Sequence, residues 1–316
     1  MEKQRKVIAL GFFDGVHLGH GALLRRVAEV ARAENARPCA FTFDQSPAAV
    51  LTGQAVPLIN TAIERGELMH RLYGIQEVIM AHFGQAMMRM DWRDFVTKYL
   101  MARGAAHLVA GHDFRFGYRG EGDPRRLKDL CGELGIGCDI IPKVELDGIT
   151  VSSTYIRALI AQGELEKAAR FLGHPHVLSG TVVHGHELGR TLGTPTANLL
   201  VPEGVIAPAF GVYAAKVWIL PACPDNHEPS GPQRRPGEGP YMAVTNVGVR
   251  PTVNQGAASV TVEPWILDYE GDLYGRTIRL ELYKRLRPER RFDSVDELRA
   301  AILRNAEETR AYFNET

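Results

Sequence analysis

The chain has 316 residues, enough for two domains that each bury a core, and its 37 Lys and Arg balance its 37 Asp and Glu. Such a balance offers no global field toward nucleic acid or an anionic membrane, so neither is expected as a partner. Four cysteines, Cys39, Cys131, Cys138 and Cys223, stand without a C-x-x-C pair, which argues against a zinc ribbon or a disulfide framework and fits a reducing cytoplasm. The apolar run behind the charged N-terminus breaks at Gly11, too short for a signal sequence or a membrane span.

Val7, Ile8, Ala9 and Leu10 read as a buried strand, and Leu23, Val27, Val30 and Ala31 carry helical spacing after it. Between them lies Gly11-Phe12-Phe13-Asp14-Gly15-Val16-His17-Leu18-Gly19-His20, so the helix's first turn is expected to hold both histidines on one face, with Gly19 leaving room for a ligand. Free N–H groups at that helix start favour an anion, and two imidazole donors beside them make a phosphate cradle. The competing readings are a metal site of His17, His20 and Asp14, and histidines with no role beyond the fold.

Further strands are predicted at 39–43, 77–83, 107–110 and 136–141, with a polar turn at 44–47. They alternate with a helix begun by the capping-box residues Thr61 and Glu64 and stopped at Gly74, and with helices at 91–103 and 124–134. This alternation specifies an α/β fold with a mostly parallel sheet covered on both faces, whose ligands bind outside the carboxyl ends of the strands. The 11–20 turn lies at that edge. So does the loop 111–123, whose aromatics and arginines suit a flat ring and a phosphate, an ordinary surface loop being the alternative. Ser152, Ser153 and Thr154 offer N-caps to a helix with Arg157 in its first turn, where arginine opposes the helix dipole unless an anion is bound nearby; simple exposure is the alternative. A helix at 164–172 closes the first domain at residue 173, giving domains 1–173 and 174–316.

In the second half the pattern changes to short extended runs at 177–183, 212–219, 242–247, 259–268 and 277–283. These predict a small antiparallel barrel or sandwich, followed by one helix from Ser294 whose Leu298 and Ile302 pack on it. Residues 220–240, rich in Pro, Gly and charge, read as a mobile inserted loop without catalytic role. In an extended chain Thr196 and Asn198 point to one side, where a hydroxyl and a carboxamide oxygen suit Mg²⁺; a hydrogen-bonded turn is the alternative. Glu263 faces away from Val260 and Val262 and would serve as a general base if a substrate hydroxyl came within reach, a solvated carboxylate being the alternative. Pro264 is expected to confine this stretch to an edge strand or a bulge. Neither G-x-x-x-x-G-K-[ST] nor G-x-G-x-x-G occurs, so any ATP is bound by other means.

Five segments in order, at 11–20, 111–123, 152–157, 190–198 around P-T-A-N, and 268–275, resemble the motifs of the bifunctional bacterial riboflavin kinase and FAD synthetase family. The resemblance implies a Rossmann-like nucleotidyltransferase domain followed by a small antiparallel β-barrel with a C-terminal helix. In the barrel, riboflavin's ribityl hydroxyl would attack the γ-phosphate of ATP to give FMN, with Thr196 and Asn198 on Mg²⁺ and Glu263 taking the proton. In the N-terminal domain, an FMN phosphate oxygen would attack the α-phosphorus of a second ATP, giving FAD and pyrophosphate, with His17, His20 and Arg157 stabilising charge. Gly11, Phe13, Asp14, Gly19, Asp113, Phe114, Arg115, Ser152, Thr154, Gly185 and Arg190 are the further nucleotide or flavin contacts it implies. The chain departs from the family pattern at the 44–47 turn, which lacks the usual histidine, and at Thr194, Tyr155 and Pro264. Self-association stays open, as do two rivals, a nucleotidyltransferase for another acceptor and a flavin-binding regulator without catalysis.

Overall fold

The computed structural model describes residues 4–184, 195–221, 237–250 and 259–315. Among them are two compact units, one of residues 4–57 and Thr61–Ser153, the other of Leu58–Asn60 and the described residues from Thr154 onward.

The first unit is built on β1 (Lys6–Leu10), β2 (Arg37–Phe43), β3 (Glu77–Ala81), β4 (Ala105–Gly111) and β5 (Gly137–Ile141). They form one parallel sheet in the order β3-β2-β1-β4-β5. The chain runs outward from β1 through β2 to β3, then returns to place β4 on the other side of β1. That reversal makes the carboxyl ends of β1 and β4 the switch point of the sheet, where a doubly wound fold opens a crevice. Leu10 pairs with Ala110, so the turn after β1 and the loop after β4 leave the sheet side by side.

Helix α1 (Leu18–Ala33) packs on β1, β2 and β4 through Leu23, Leu24, Val27, Val30 and Ala31. Next come α2 (Pro47–Thr52), begun by Ser46 in the predicted polar turn, and α3 (Ala62–Tyr73), which has the expected Thr61–Glu64 capping box and ends on Gly74 in the left-handed region. The third strand stops at Ala81, earlier than expected, and a short α4 (Gln85–Met88) follows. The helix expected over 91–103 exists but changes character: α5 (Trp92–Asp94) passes into a π-helical turn (Phe95–Leu100) and a 3-10 turn (Met101–Arg103). Helix α6 (Pro124–Leu134) buries Leu127, Leu130 and Cys131 against the sheet. A two-strand hairpin, β6 (Glu145–Leu146) and β7 (Ile149–Thr150), turns on Asp147 and Gly148, both at positive φ.

Helix α7 (Ser153–Gln162) has its first residue in the first unit and continues from Thr154 into the second, where α8 (Leu165–Leu172) follows. The compact division therefore falls before residue 173, because α8 lays Leu165, Ala168, Phe171 and Leu172 down as an apolar face and packs on strands of the barrel. That barrel is closed and antiparallel, in the order β10-β11-β12-β9-β8-β13, from β8 (His176–Val183), β9 (Asn198–Leu200), β10 (Gly211–Ile219), β11 (Glu238–Arg250), β12 (Ser259–Ile266) and β13 (Thr277–Pro288). The start of β11 takes 238–240 from the expected inserted loop, while 222–236 lie outside the described residues.

Closure corrects the edge-strand expectation for Pro264, since β12 pairs with both β11 and β9. The Pro264 carbonyl accepts from the Ala197 N–H at 2.9 Å, and in an extended strand a residue's N and O point the same way. The missing proline donor thus faces residues 195–197, and the ladder to β11 loses nothing. The final helix, α9 (Val295–Glu315), packs on β10 and β11 through Ala301, Asn305, Ala306 and Thr309 rather than the expected Leu298 and Ile302, which are half-buried.

His176, on β8 opposite Leu282, is 1 % exposed, and burial pulls its imidazole down to about 4, with the Ile206 backbone opposing and His174 lowering it further. A histidine buried in its neutral form contributes stability that is complete above its unfolded value of about 6.5 and is lost as pH falls toward 4. We expect the wild type to lose about 3 kcal/mol more than His176→Leu between pH 7 and pH 4, read from urea unfolding at both pH values. Equal losses would show that His176 is not the titrating group.

Candidate functional site

The turn after β1 is bent in a way few side chains tolerate: Phe13 (φ 59°), Gly15 (φ 82°) and Val16 (φ 42°) all sit at positive φ. For a β-branched residue such as Val16 this is an outlier, costing about 1–3 kcal/mol, and it persists only where the surroundings over-determine it. Phe13 and Val16 are fully buried, the Val16 N–H reaches the Phe13 carbonyl at 3.0 Å, and Ser153 Oγ donates to the Asp14 carbonyl at 2.9 Å.

The turn delivers the histidines differently from the sequence expectation. His17 is not in the first helical turn but is the N-cap of α1, its Nδ1 accepting from the His20 N–H at 3.3 Å. With Nδ1 used as an acceptor, the neutral ring carries its proton on Nε2, which becomes a donor. The His20 ring stacks on that of His17 at 3.6 Å between centroids and 13° between planes. Gly19 leaves this ring its room, since an added Cβ would lie a tight 3.1 Å from the His17 ring.

Phe13, expected to touch a ligand, is instead a core residue that meets His20 edge-on at 5.2 Å, and a Cβ on Gly11 would strike the Phe13 ring. Burial, then His17, then Arg65 hold the His20 imidazole well below the ordinary histidine range, so it is neutral at pH 7. Its Nδ1 is buried with no hydrogen-bond partner among the described residues. Asp14 is buried close to Arg65.

The first unit also holds a cavity of about 520 Å³ with a mostly apolar wall, reached by Phe43 at the end of β2 and by the loop after β4. Phe114 and Arg115 line it. Asp113 does not; it is exposed, its carboxylate close to Gly111. The loop is pinned as a narrow hairpin by the reciprocal Phe116 and Gly122 backbone bonds at 3.2 and 2.9 Å. Gly117 lets it pass Trp92, whose Cα would be 2.6 Å from an added Cβ. Phe114 stacks on Phe116 at 5.4 Å, and Phe43 meets Phe83 edge-on at 4.8 Å, so the pocket presents aromatic faces and edges to a flat ring. Sequence reading missed Phe43, Phe83, Met87, Met90 and Phe95 in this wall. A cluster of three methionines at 87–90 with no apolar helical face to fill was the available signal.

The second unit has its own cavity of about 280 Å³, on the outside of the barrel, lined by Thr196 and Glu263 among others. Val262 pairs with Leu199, and continuing that register by one step sets Asn198 opposite Glu263. On its other side Glu263 pairs with Asn246 of β11. Val262 and Leu199 point into the barrel, so Glu263, Trp265 and Thr196 share the outer face, as the alternation required. Asn246, Arg287, Glu289 and Phe292 complete the wall and were not foreseen. Arg287 donates to Asn305 Oδ1 at 3.0 Å, and both Arg287 and Arg290 lie over the Phe292 ring.

Ser152 is half-buried in the first unit, whereas Thr154 and Arg157 stand on α7 in the second, with Arg157 Nη2 donating to Thr154 Oγ1 at 3.3 Å. Gly185, Arg190 and Thr194 lie outside the described residues.

A family model described as FAD synthetase matches residues 1–155, and one described as riboflavin kinase matches 172–313. The chain is 34 % identical to the bifunctional riboflavin kinase/FMN adenylyltransferase of Listeria monocytogenes, covering 98 % of this chain and 92 % of that protein. It is 35 % identical to the protein of the same description from Escherichia coli K12, covering 98 % and 93 %. A crystal structure from Streptococcus pneumoniae, described as a macrolide-efflux protein, is similar over 98 % of this chain and 95 % of its own, with 31 % identity and a TM-score of 0.81. No described helix of this chain is long and apolar enough to cross a membrane.

Gly19→Ala should push the His17 ring aside and weaken pyrophosphate binding about tenfold, the order of one hydrogen bond to a charged group, measured by isothermal titration. Unchanged affinity would separate the imidazole pair from anion binding.

Proposed function

We propose, from the premise that the chain belongs to the family of bifunctional riboflavin kinases and FMN adenylyltransferases, that adenylyl transfer occurs at the turn bearing His17 and His20 and phosphorylation at the Glu263 cavity. The chain makes FMN from riboflavin and FAD from FMN. The observation that carries the assignment is the pair of stacked imidazoles at the carboxyl end of the central strand, in the same unit as a cavity walled by aromatic side chains. In sequence the division of labour falls at residue 173.

In the adenylylating unit, the isoalloxazine ring lies in the cavity between Phe114 and the wall facing it, with Arg115 at the rim. An FMN phosphate oxygen is already ionised, so attack on the α-phosphorus of ATP needs no strong base. His17 donates through Nε2–H, and a neutral His20 donates or accepts without bringing a fixed charge. Together with the N–H groups of the first turn of α1 they stabilise charge building on the α-phosphate and the leaving pyrophosphate. Gly11, Gly19 and Asp14 shape the backbone that does this, while Phe13 supports His20 from below. The roles of Arg157, Ser152, Thr154, Gly185 and Arg190 rest on the motif resemblance.

In the kinase unit, Glu263 accepts the proton of riboflavin's terminal hydroxyl as it attacks the γ-phosphate of ATP, and Asn198 and Asn246 flank the carboxylate. Thr196 and Asn198 offer neutral, hard oxygen donors, and no cluster of three or more His, Cys, Asp or Glu among the described residues could hold a metal. That donor set fits Mg²⁺ brought by the nucleotide, which Thr196 and Asn198 would hold. When bound, the ion would neutralise phosphate charge. The free thiols of Cys39, Cys131 and Cys138 suit the cytoplasm, where we place the enzyme.

Purified protein incubated with riboflavin, ATP and Mg²⁺ should yield FMN and then FAD on chromatography. His20→Ala should stop at FMN, with FAD formation down about 10²–10³-fold. Glu263→Ala should block FMN formation yet still convert supplied FMN to FAD. Loss of the other unit's reaction in either variant would reject the assignment.

A further inference from the structure

Arg65, on α3 four residues after its N-cap, heads the largest fully buried side chains and is 0 % exposed. An arginine so placed is rare unless its donors are used. Here Nη1 donates to the Phe12 carbonyl and to Thr42 Oγ1 (3.1 Å), and Nη2 donates to the Phe43 carbonyl at 2.9 Å. Thr42 Oγ1 in turn donates to the same Phe12 carbonyl at 2.8 Å. The guanidinium also lies over the Phe12 ring, 4.3 Å from its centre. Phe12 immediately precedes Phe13, the first of the left-handed residues, and Phe13 supports the His20 ring. Desolvation lowers the Arg65 guanidinium to about 10, with Asp14 and Asp44 opposing, so it stays charged at neutral pH.

We propose that Arg65 is a positioning residue for adenylyl transfer: by clamping the Phe12 carbonyl to the end of β2 it holds the strained turn in the one conformation that aligns His17 and His20 on the nucleotide phosphates. This rests on the reading of those two histidines as phosphate ligands. No lysine can replace the clamp, because a single ammonium cannot reach the Phe12 carbonyl, Thr42 Oγ1 and the Phe43 carbonyl in the fixed plane of a guanidinium. Arg65 also sets charge at the site. The titratable and charged groups around His20 are His17 from the same turn and Arg65 from α3, with Asp14 and Asp44 beside Arg65. Removing the positive charge makes His20 easier to protonate.

The test uses the full chain, with riboflavin phosphorylation by the second unit as the internal control. Arg65→Lys should lower kcat for FAD formation from FMN and ATP about 10- to 100-fold, the order expected for a small misplacement of reacting groups, with KM for both substrates within about threefold. Thr42→Val, which keeps shape and charge but removes the bridging hydroxyl, should lower kcat in the same direction by less. Arg65→Met should in addition move the low-pH inflection of FAD formation to higher pH, whereas Arg65→Lys leaves it in place. A purely structural role predicts lower thermal midpoints with wild-type kcat per folded molecule and an unmoved inflection, and that result overturns the proposal. Should Arg65→Met fail to fold, wild-type kcat in both Arg65→Lys and Thr42→Val overturns it equally. His20→Ala run alongside separates the two claims: full FAD synthesis there rejects the histidine reading, while an inactive His20→Ala beside wild-type kcat in both clamp variants rejects Arg65 alone.

Discussion

A turn that L-amino acids resist stands at the end of the central strand, and the first unit is arranged to hold it. Two non-glycine residues at positive φ cost about 1–3 kcal/mol each. Against that are set the burial of Phe13 and Val16, a buried guanidinium on the Phe12 carbonyl, and a serine hydroxyl on the Asp14 carbonyl. These restraints come from α3 and from the start of α7, elements far apart in sequence. The sheet order supplies the remaining condition, since only the reversal at β1 leaves a crevice above the turn.

The two reactions meet different electrostatic problems, and the two units answer differently. In the site proposed for adenylyl transfer, where the nucleophile is an anionic phosphate, the wall is donor-rich: two stacked imidazoles, of which His20 is held uncharged chiefly by burial, helix N–H groups, and one charged guanidinium set behind the backbone. In the site proposed for phosphorylation, where the nucleophile is a hydroxyl, the wall carries a carboxylate flanked by two asparagines, on the outer face of a barrel into which Val262 and Leu199 point. Phosphoryl transfer asks mainly for position and charge neutralisation, and a closed barrel gives a rigid surface on which to fix both.

Much of this was legible in the residues because it is local. The alternation of strands and capped helices, the Thr61 and Glu64 box, the glycine stops at Gly74 and Gly135, and the outward face of Glu263 all follow from spacing along a few residues. What escaped depends on partners distant in sequence. Pro264 reads as an edge residue until β9 closes the barrel. Nothing in the spacing around Arg65 signals that Phe12, Thr42 and Phe43 converge on it. Phe13 looks like a ligand contact until its φ turns the ring inward. One miss was avoidable: Asp147 and Gly148 between short apolar segments form a hairpin signal of the usual kind.

The last helix carries two rows of residues with different duties. Ala301, Asn305, Ala306 and Thr309, mostly small, let its backbone settle close on β10 and β11, and Leu298 and Ile302 are thereby left to face the cavity of the second unit. Docking and lining are therefore separable on one element. On the proposed assignment of flavin phosphorylation to this cavity, changes in side-chain size at 298 or 302 would alter which flavin analogues it admits while leaving in place the small residues that dock the helix.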